Sequence, residues 1–492
     1  MPRFLWFPLS LALGCQHAVE PVAPDSNEKS VVATAPPPFE PVAGIDLPTL
    51  GNSNPDADFL RAPFRVGLNM VRTRGASDEV NSITAVNTDI AALGAGGVRQ
   101  LRDWDVGWIA NGFWDGSGFD ADDFDFTDPD RALTNNAGVY AIPTFFQVGP
   151  ESVVDRLVAA GVSENDVDEQ LYTPDGVELD MDYSYAKQAV ESYVTAIVER
   201  YQGTLYHYEV ANEVEHYYDT NCFLDGKCIN DKRYVDLLEE VAESAHAVDP
   251  DIQIVMAGLA WHETNDGGVD NDQKSWLKGV INEGGDEYID VYNFHYYGKW
   301  TDLPSYIGEL QAILDDKGEG DKPLWMTEVG STYLAGDGGS ESGQAADVAR
   351  MLAIAHCHGV ELSMWHTHIS STDDTGEAFA GYGLRKSDGD TKAKSYYAFQ
   401  AITEVLNASV QCTRRAENSN GRYVYEFQDE SGDKTWVMFT TGASTTYNLD
   451  PYTSASSVSV TSVIANGNGN RTTTTASATA VPLGSSPTIV SF

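Results

Sequence analysis

Eight short runs of β-branched and aromatic residues alternate with longer stretches of helical spacing in this chain, and that alternation restricts its fold more than any other feature. The runs are Phe64–Asn69, Val98–Arg102, Val139–Phe145, Leu205–Asn212, Ile252–Gly258, Asp290–His295, Pro323–Glu328 and Glu361–Trp365. Between and after them lie helical patterns, the clearest being Tyr183–Tyr201, Lys232–Val248, Ser305–Asp316, Gly343–His358 and Lys392–Leu406. In Tyr183–Tyr201, Tyr185, Ala189, Val190, Tyr193, Ile197 and Val198 recur at the spacing that lines one face of a helix. Strand-then-helix repeated eight times predicts an α/β fold, a (β/α)8 TIM barrel, lengthened beyond the usual ~250 residues by inserted loops. The alternative is an open doubly wound sheet. It is weakened because no Gly-rich dinucleotide fingerprint follows the first strand.

After about Leu406 the helical patterns stop. Short alternating runs follow, Arg422–Phe427, Thr435–Thr440, Ser457–Val463 and Thr488–Phe492, separated by turns such as Glu430-Ser431-Gly432-Asp433. This predicts a small all-β, sandwich-like domain over residues 405–492, behind a barrel over residues 49–404.

The front of the chain is expected to be an address. Arg3 precedes an apolar run, Phe4 to Leu13, that is too short to span a bilayer. The run ends at Gly14-Cys15, which looks like a bacterial lipoprotein cleavage box, with Cys15 as the acylated residue of a signal segment over residues 1–15. An ordinary signal peptide is the alternative. Residues 16–48 are rich in Pro, Ala, Val and acids, including Pro36-Pro37-Pro38, and read as an extended tether. The expected location is therefore outside the cytoplasm, on a lipid anchor. Cys222 and Cys228 are close enough in sequence to close a small disulfide loop. Cys357 and Cys412 are either a second bridge or two buried thiols.

Acids outnumber bases 74 to 30, a formal net charge of −44, which disfavours nucleic acid and other polyanions as partners. The excess is uneven. From Val405 onward six acids (Glu417, Glu426, Asp429, Glu430, Asp433, Asp450) nearly balance five bases (Arg414, Arg415, Arg422, Lys434, Arg471), so almost all of it falls on the first 404 residues. A barrel this negative is expected to favour neutral over polyanionic ligands, sugars among them.

In a (β/α)8 barrel the chemistry sits at the C-terminal ends of the strands. The fourth strand ends in Tyr208-Glu209-Val210-Ala211-Asn212-Glu213, the sixth in Asn293-Phe294-His295-Tyr296-Tyr297, the seventh in Thr327-Glu328-Val329-Gly330 and the eighth in Met364-Trp365. Strands four and seven stand opposite each other in an eight-strand ring, so Glu213 and Glu328 can flank one bond. Two such carboxylates are what glycoside hydrolysis requires: one protonates the departing oxygen while the other attacks the anomeric carbon or activates water.

The pattern resembles the clan-A glycoside hydrolases, retaining (β/α)8 enzymes that include cellulases, mannanases, xylanases and β-xylosidases. Their strand-four Asn-Glu matches Asn212-Glu213 and implies Glu213 as general acid/base. Their strand-seven Thr-Glu-x-Gly matches Thr327–Gly330 and implies Glu328 as nucleophile, while their strand-six His-x-Tyr matches His295–Tyr297 and implies Tyr297 as donor to it. The strand-two Arg after Leu-Gly-x-x-x-Val matches Arg99, and the strand-eight Trp beneath the sugar matches Trp365. Phe124–Asp130 resembles the opening of helix two in such enzymes. The likeness covers about Phe64 to Leu406. Val214 stands where Pro commonly follows the Glu and Ala211 where Trp is frequent, so the individual family is not assigned.

The residues therefore point to a retaining glycoside hydrolase acting on a β-linked, neutral glycan, with Glu213 and Glu328 catalytic and Arg99, Asn212, His295, Tyr297 and Trp365 holding substrate. No cofactor and no metal is expected. A non-catalytic glycan-binding lipoprotein on the same fold and a transglycosylase are the rivals. Trp104, Trp108, Trp114, Trp261 and Trp300 lie near strand-to-helix loops and could meet further sugars or simply pack. Asp120–Asp130 lacks a recognisable Ca2+-loop spacing, and His356 and His358, two apart on a helix, face away from each other. His366 and His368 follow the last strand, within reach of substrate or merely in the loop.

Overall fold

A computed structural model describes residues 45–46, 64–69, 89–100, 140–145, 184–214, 231–261, 268–376 and 379–492. All eight predicted barrel strands are present: β1 (Val66–Asn69), β2 (Gly97–Gln100), β3 (Tyr140–Phe145), β4 (His207–Val210), β5 (Gln253–Met256), β6 (Tyr292–Tyr296), β7 (Leu324–Val329) and β8 (Leu362–His366). They form one parallel sheet in the order β5-β4-β3-β2-β1-β8-β7-β6. The two ends of that sheet meet through the bridge Val255–Val291 and the bonds Met256 N to Val291 O (2.9 Å) and His295 N to Leu259 O (2.7 Å). The sheet is a nearly closed barrel, and the open doubly wound alternative falls.

Six helices are described over their full length: α1 (Ser184–Tyr201), α2 (Asp231–Val248), α3 (Asn271–Asn282), α4 (Leu303–Lys317), α5 (Glu341–Cys357) and α6 (Lys394–Ala408). Five were legible in the sequence. The sixth, α3, has Gly279 in its interior, a residue that weakens helices. A Cβ there would lie 2.0 Å from Asp231 Oδ2, so this glycine admits the start of α2 rather than ending α3.

Inside the barrel the side chains are layered. Phe64, Ile142, Val255, Val291, Trp325, Leu362 and Met364 form an apolar floor. Phe64 fits only because residues 96 and 97 are glycines; a Cβ on Gly97 would lie 2.1 Å from its ring. Arg99, Glu209, Asn293, His295 and Thr327 are also buried, and they form a polar network that reaches the C-terminal ends of the strands.

Beyond α6 the chain is antiparallel β: β9 (Ser409–Ser419), β10 (Arg422–Asp429), β11 (Lys434–Thr440), β12 (Thr445–Tyr447), β13 (Ser457–Ser462), β14 (Thr473–Ser477), β15 (Val481–Leu483) and β16 (Thr488–Ser491). Six of these strands form one sheet, β9-β10-β11-β16-β13-β14, and β12 pairs with β15. A two-residue strand from the tether stretch, Ile45–Asp46, adds itself to the free edge of β9. The long strand β9 was not read from the sequence, because its SVQCTRRAENS pattern alternates only weakly and its pairing carries register shifts.

Cys357, at the end of α5, is disulfide-bonded to Cys412 in β9 with Cα atoms 5.4 Å apart. The bridge settles those two cysteines as bonded. Beside it, His358 lies 2.7 Å from Glu417 Oε1, which also accepts from the Tyr425 hydroxyl at 2.7 Å. His358 therefore serves the joint between barrel and β sheet. His356 is fully buried, and burial with the nearby Arg65 charge pushes its pKa down to about 3. No described helix is long and apolar enough to cross a membrane.

Candidate active site

Arg99 organises the rim. It is fully buried on β2, and its planar fork reaches three acceptor groups at once. Nε and Nη2 donate to the two carboxylate oxygens of Glu209, the latter at 2.8 Å; Nη1 donates to Glu328 Oε1 at 2.6 Å; and Nη2 also donates to Asn212 Oδ1 at 2.7 Å. Burial lowers the pKa of this guanidinium, but the charges of Glu209 and Glu328 and their hydrogen bonds more than reverse that and hold it above its ordinary value. Arg99 was expected to hold substrate. It has no exposed surface and instead positions the carboxylates.

Glu209, inside β4, carries no motif that marks it in the sequence. It is completely buried, and besides Arg99 it accepts from Asn293 Nδ2 at 3.0 Å and Gly258 N at 3.2 Å. A signal was available. A glutamate inside an apolar strand is tolerated only with a buried cation, and Arg99, inside another, has the same need.

Two local backbone devices aim the predicted pair. On β7, Trp325 and Thr327 point into the barrel, so strict alternation would send Glu328 outward. A register shift against both β6 and β8 follows Met326, and Thr327 and Glu328 are consecutively buried inside. A bulge of this kind re-aims one side chain. At the end of β4, Ala211 (φ 67°) and Glu213 (φ 49°) both occupy the left-handed region, unusual for residues with a Cβ. That turn returns Asn212 and Glu213 to the site.

Glu328 sits deep, with 7% of its side chain exposed, and Glu213 sits nearer the opening with 23%. Tyr297 donates its hydroxyl to Glu328 Oε2. His295 lies between the acids, Nδ1 2.7 Å from Glu213 Oε1 and 3.7 Å from Glu328 Oε2, with Nε2 3.2 Å from Thr327 Oγ1. One carboxylate oxygen from each glutamate and a His295 nitrogen all lie within 4.8 Å of one another. Burial pushes the Glu328 carboxyl up, but His295, Arg99 and His366 beside it and the Tyr297 hydrogen bond hold it well below the usual carboxylate range. Burial and the charges of Glu328 and Glu213 raise the Tyr297 phenol far above its ordinary value, so it stays a donor.

Among the described residues Glu213, His295 and Glu328 are the group whose spacing would suit a cation. The donor set argues against one, because the Arg99 guanidinium already occupies Glu328 Oε1 and would repel it.

Trp365 ends β8 as expected, yet it is fully buried with its Nε1 donating to Tyr382 O at 3.2 Å. It packs beneath the rim and offers no open plate. Trp300 stacks edge-on against Tyr423 and Phe439 of the β domain, with the Arg350 guanidinium 4.7 Å from its ring centroid, so it packs rather than meets sugar. Trp261 is half-buried beside Tyr296. His366 lies among the rings around Tyr297, whereas His368 is turned to Asp89 at 3.3 Å. Cys15, Cys222, Cys228, Arg102, Trp104, Trp108, Trp114 and Asp120–Asp130 lie outside the described residues.

Residues 237–397, spanning β5 to β8, match the family model described as glycosyl hydrolase catalytic core. This part of the chain is similar to glycosyl hydrolase catalytic cores. Glu328, Tyr297, His295 and Trp365 fall within the matched stretch, and Arg99, Glu209 and Glu213 are brought beside it by the preceding strands. Solved structures of similar fold include a family 39 glycoside hydrolase from the gut symbiont Bacteroides cellulosilyticus WH2. Its TM-score is 0.64 at 15% identity, over 87% of this chain and 80% of that one. A monomeric β-xylosidase from Caulobacter crescentus CB15 has a TM-score of 0.56 at 14% identity, over 87% and 95% of the two chains. A glucosidase from Croceicoccus marinus also has a TM-score of 0.56 at 14% identity, over 86% and 94%. No curated protein matches the chain in sequence. The solved structures share the barrel fold and the matched stretch supports the glycosyl hydrolase enzyme class, with the individual family unassigned.

Proposed function

We propose that this enzyme is a retaining glycosidase that cleaves a β-linked, neutral glycan by double displacement. The observation that carries the reading is the approach of Glu213 and Glu328, whose nearest ligating oxygens lie within 4.8 Å. Retaining enzymes hold their carboxyl groups about 5–5.5 Å apart, whereas inverting ones leave roughly 6.5–9.5 Å for a water between them.

In the first step a Glu328 oxygen bonds to the anomeric carbon while the bond from that carbon to the leaving oxygen breaks. Glu213 supplies the proton that the leaving oxygen takes. In the second step Glu213, now a carboxylate, takes a proton from water; the water oxygen bonds to the anomeric carbon and Glu328 departs ionised. The roles suit the surroundings, since the ionised nucleophile is deep and hydrogen-bonded while the proton-transfer group is nearer solvent. Arg99 fixes Asn212 through Oδ1, which leaves the amide N–H to donate to a sugar hydroxyl, a contact that strengthens in the transition state. The acid-rich barrel favours a neutral substrate over a polyanionic one.

The test is a hydrolysis screen over cello-, manno-, xylo- and galacto-oligosaccharides with the product anomer followed by NMR. Retention is expected, with activity lost in Glu328→Ala. Inverted product, or turnover unchanged in Glu328→Ala, overturns the reading, and transfer to a sugar acceptor in place of water identifies a transglycosylase.

We also propose export, with anchoring through a lipid on Cys15. The Cys357–Cys412 disulfide supports an oxidising compartment. Incorporation of labelled fatty acid that disappears in Cys15→Ser would support the anchor; none in the unchanged chain would exclude it.

A further inference from the structure

Phe379 is one of two large apolar side chains exposed among the described residues, with 41% of its surface open. The other, Phe492, ends the chain against Trp436 in the β domain. Phe379 is different in three respects that belong together.

Its first distinction is position. Its ring centroid lies 5.3 Å from that of Tyr297, whose hydroxyl is on Glu328, and 5.0 Å from that of His366. Tyr382 completes the group at 5.6 Å from Phe379 and 5.8 Å from Tyr297. The exposed ring is thus one aromatic side chain away from the nucleophile.

The second distinction is backbone conformation. Phe379 has φ 55°, a genuine outlier for a bulky residue, and such strain persists only where the surroundings impose it. They do so here. Ala380 O accepts from Thr332 Oγ1 at 2.8 Å, Gly381 N donates to Ser370 Oγ at 2.8 Å, and Gly381 O accepts from Tyr333 N at 2.9 Å. The chain after β7 and the chain after β8 together clamp the residues that follow the ring.

The third is that the ring stays exposed although clamped. Packed on one side by Tyr297, His366 and Tyr382, it leaves its open part available to a ligand. A rigidly mounted aromatic face beside two convergent carboxylates has the form of a sugar-binding surface, because the C–H face of a pyranose is apolar while its hydroxyls point outward.

We infer that Phe379 is a stacking residue for a pyranose ring of the glycan, forming the wall of the subsite beside Tyr297 and Glu328. It takes the part that Trp365, buried beneath the rim, does not offer. The inference rests on the glycosidase reading above and adds a specificity residue to it.

Kinetics of the full chain test it, with a neutral β-linked tetrasaccharide that the unchanged enzyme hydrolyses in the screen above. In Phe379→Ala, kcat/KM is expected to fall about tenfold, with most of the loss in KM, since stacking stabilises bound substrate and transition state alike. Phe379→Tyr is expected to stay within about twofold, and Phe492→Ala, a matched loss of an exposed ring, to leave the kinetics unchanged. Binding of the same tetrasaccharide to Glu328→Gln by calorimetry should weaken by the same factor when Phe379→Ala is added. Unchanged kinetics and binding in folded Phe379→Ala overturn the inference while leaving the glycosidase intact. So does a loss confined to kcat with a lowered Tm, which marks a packing role. If the unchanged chain hydrolyses no oligosaccharide of the screen and Glu328→Gln binds none, the glycosidase reading itself fails.

Discussion

Arg99 Nη1 donates to Glu328 Oε1 at 2.6 Å from a guanidinium with no exposed surface, so salt screens little of the charge that helps keep this carboxylate ionised. Its other side is held by Glu209. The three groups form an acid–base–acid row in which the outer carboxylate, Glu209, fixes the direction of the cation. Removing the cation leaves two buried carboxylates facing each other, which is why pairs of this kind are costly to break.

Arg99→Gln is expected to lower kcat/KM by about 10²–10³, the scale of losing one preorganised electrostatic group. The pH profile should move as well. Glu328 is held below the ordinary carboxylate range, so in the wild type it stays ionised as pH falls through that range and is protonated only below it. Without the guanidinium its pKa rises, and the acid limb of the kcat/KM profile should shift to higher pH. A limb that stays in place would show that Arg99 does not set the ionisation of Glu328.

Gly258→Ala is expected to disable the site from behind. A Cβ there would lie 2.1 Å from His295 Nε2, so the imidazole must move away from Glu213 and Thr327. Overpacking of this sort costs about 1–3 kcal/mol of stability. Kinetics should suffer more than folding, with kcat/KM down by at least about tenfold at temperatures where the variant remains folded. Wild-type kinetics in a folded variant would mean that His295 has no part in the chemistry.

Cys412→Ser opens a loop whose ends are 55 residues apart. The chain-entropy account gives about 4 kcal/mol for such a crosslink, with measured values commonly about 2–4 kcal/mol. Denaturant unfolding should show the wild type losing that stability on reduction of this bridge and the unreduced variant already lacking it; equal stability of oxidised wild type and variant would show that the bridge contributes nothing.

Trp300→Ala should separate packing from sugar binding. The indole fills the joint between α5 and the β domain beside Tyr423, Phe439 and Arg350. Stability is expected to drop by roughly 2–3 kcal/mol, with kcat/KM unchanged on every oligosaccharide at a temperature below unfolding. A selective rise in KM for longer substrates would restore Trp300 as a subsite residue.

Local pattern and tertiary structure contributed different things. The eight strands and five of the helices were legible because burial imposes a period on the sequence, and each element must bury its own face. The order of the chemical groups was legible too, since a barrel puts the end of every strand on one rim, so Asn212-Glu213 and Thr327-Glu328 could be placed on opposite sides of it. What the sequence could not carry was direction. Alternation along β7 points Glu328 away from the cleft, and only the register shift against β6 and β8 turns it inward. Nothing local marks Ala211 and Glu213 as left-handed. The roles of Arg99 and Trp365 changed for the same reason, because residue type cannot say whether a side chain faces solvent, substrate or another buried charge. The sequence by itself determined which groups a barrel would bring to one rim; the packed structure decided which of them face each other, since that depends on distances between strands more than a hundred residues apart.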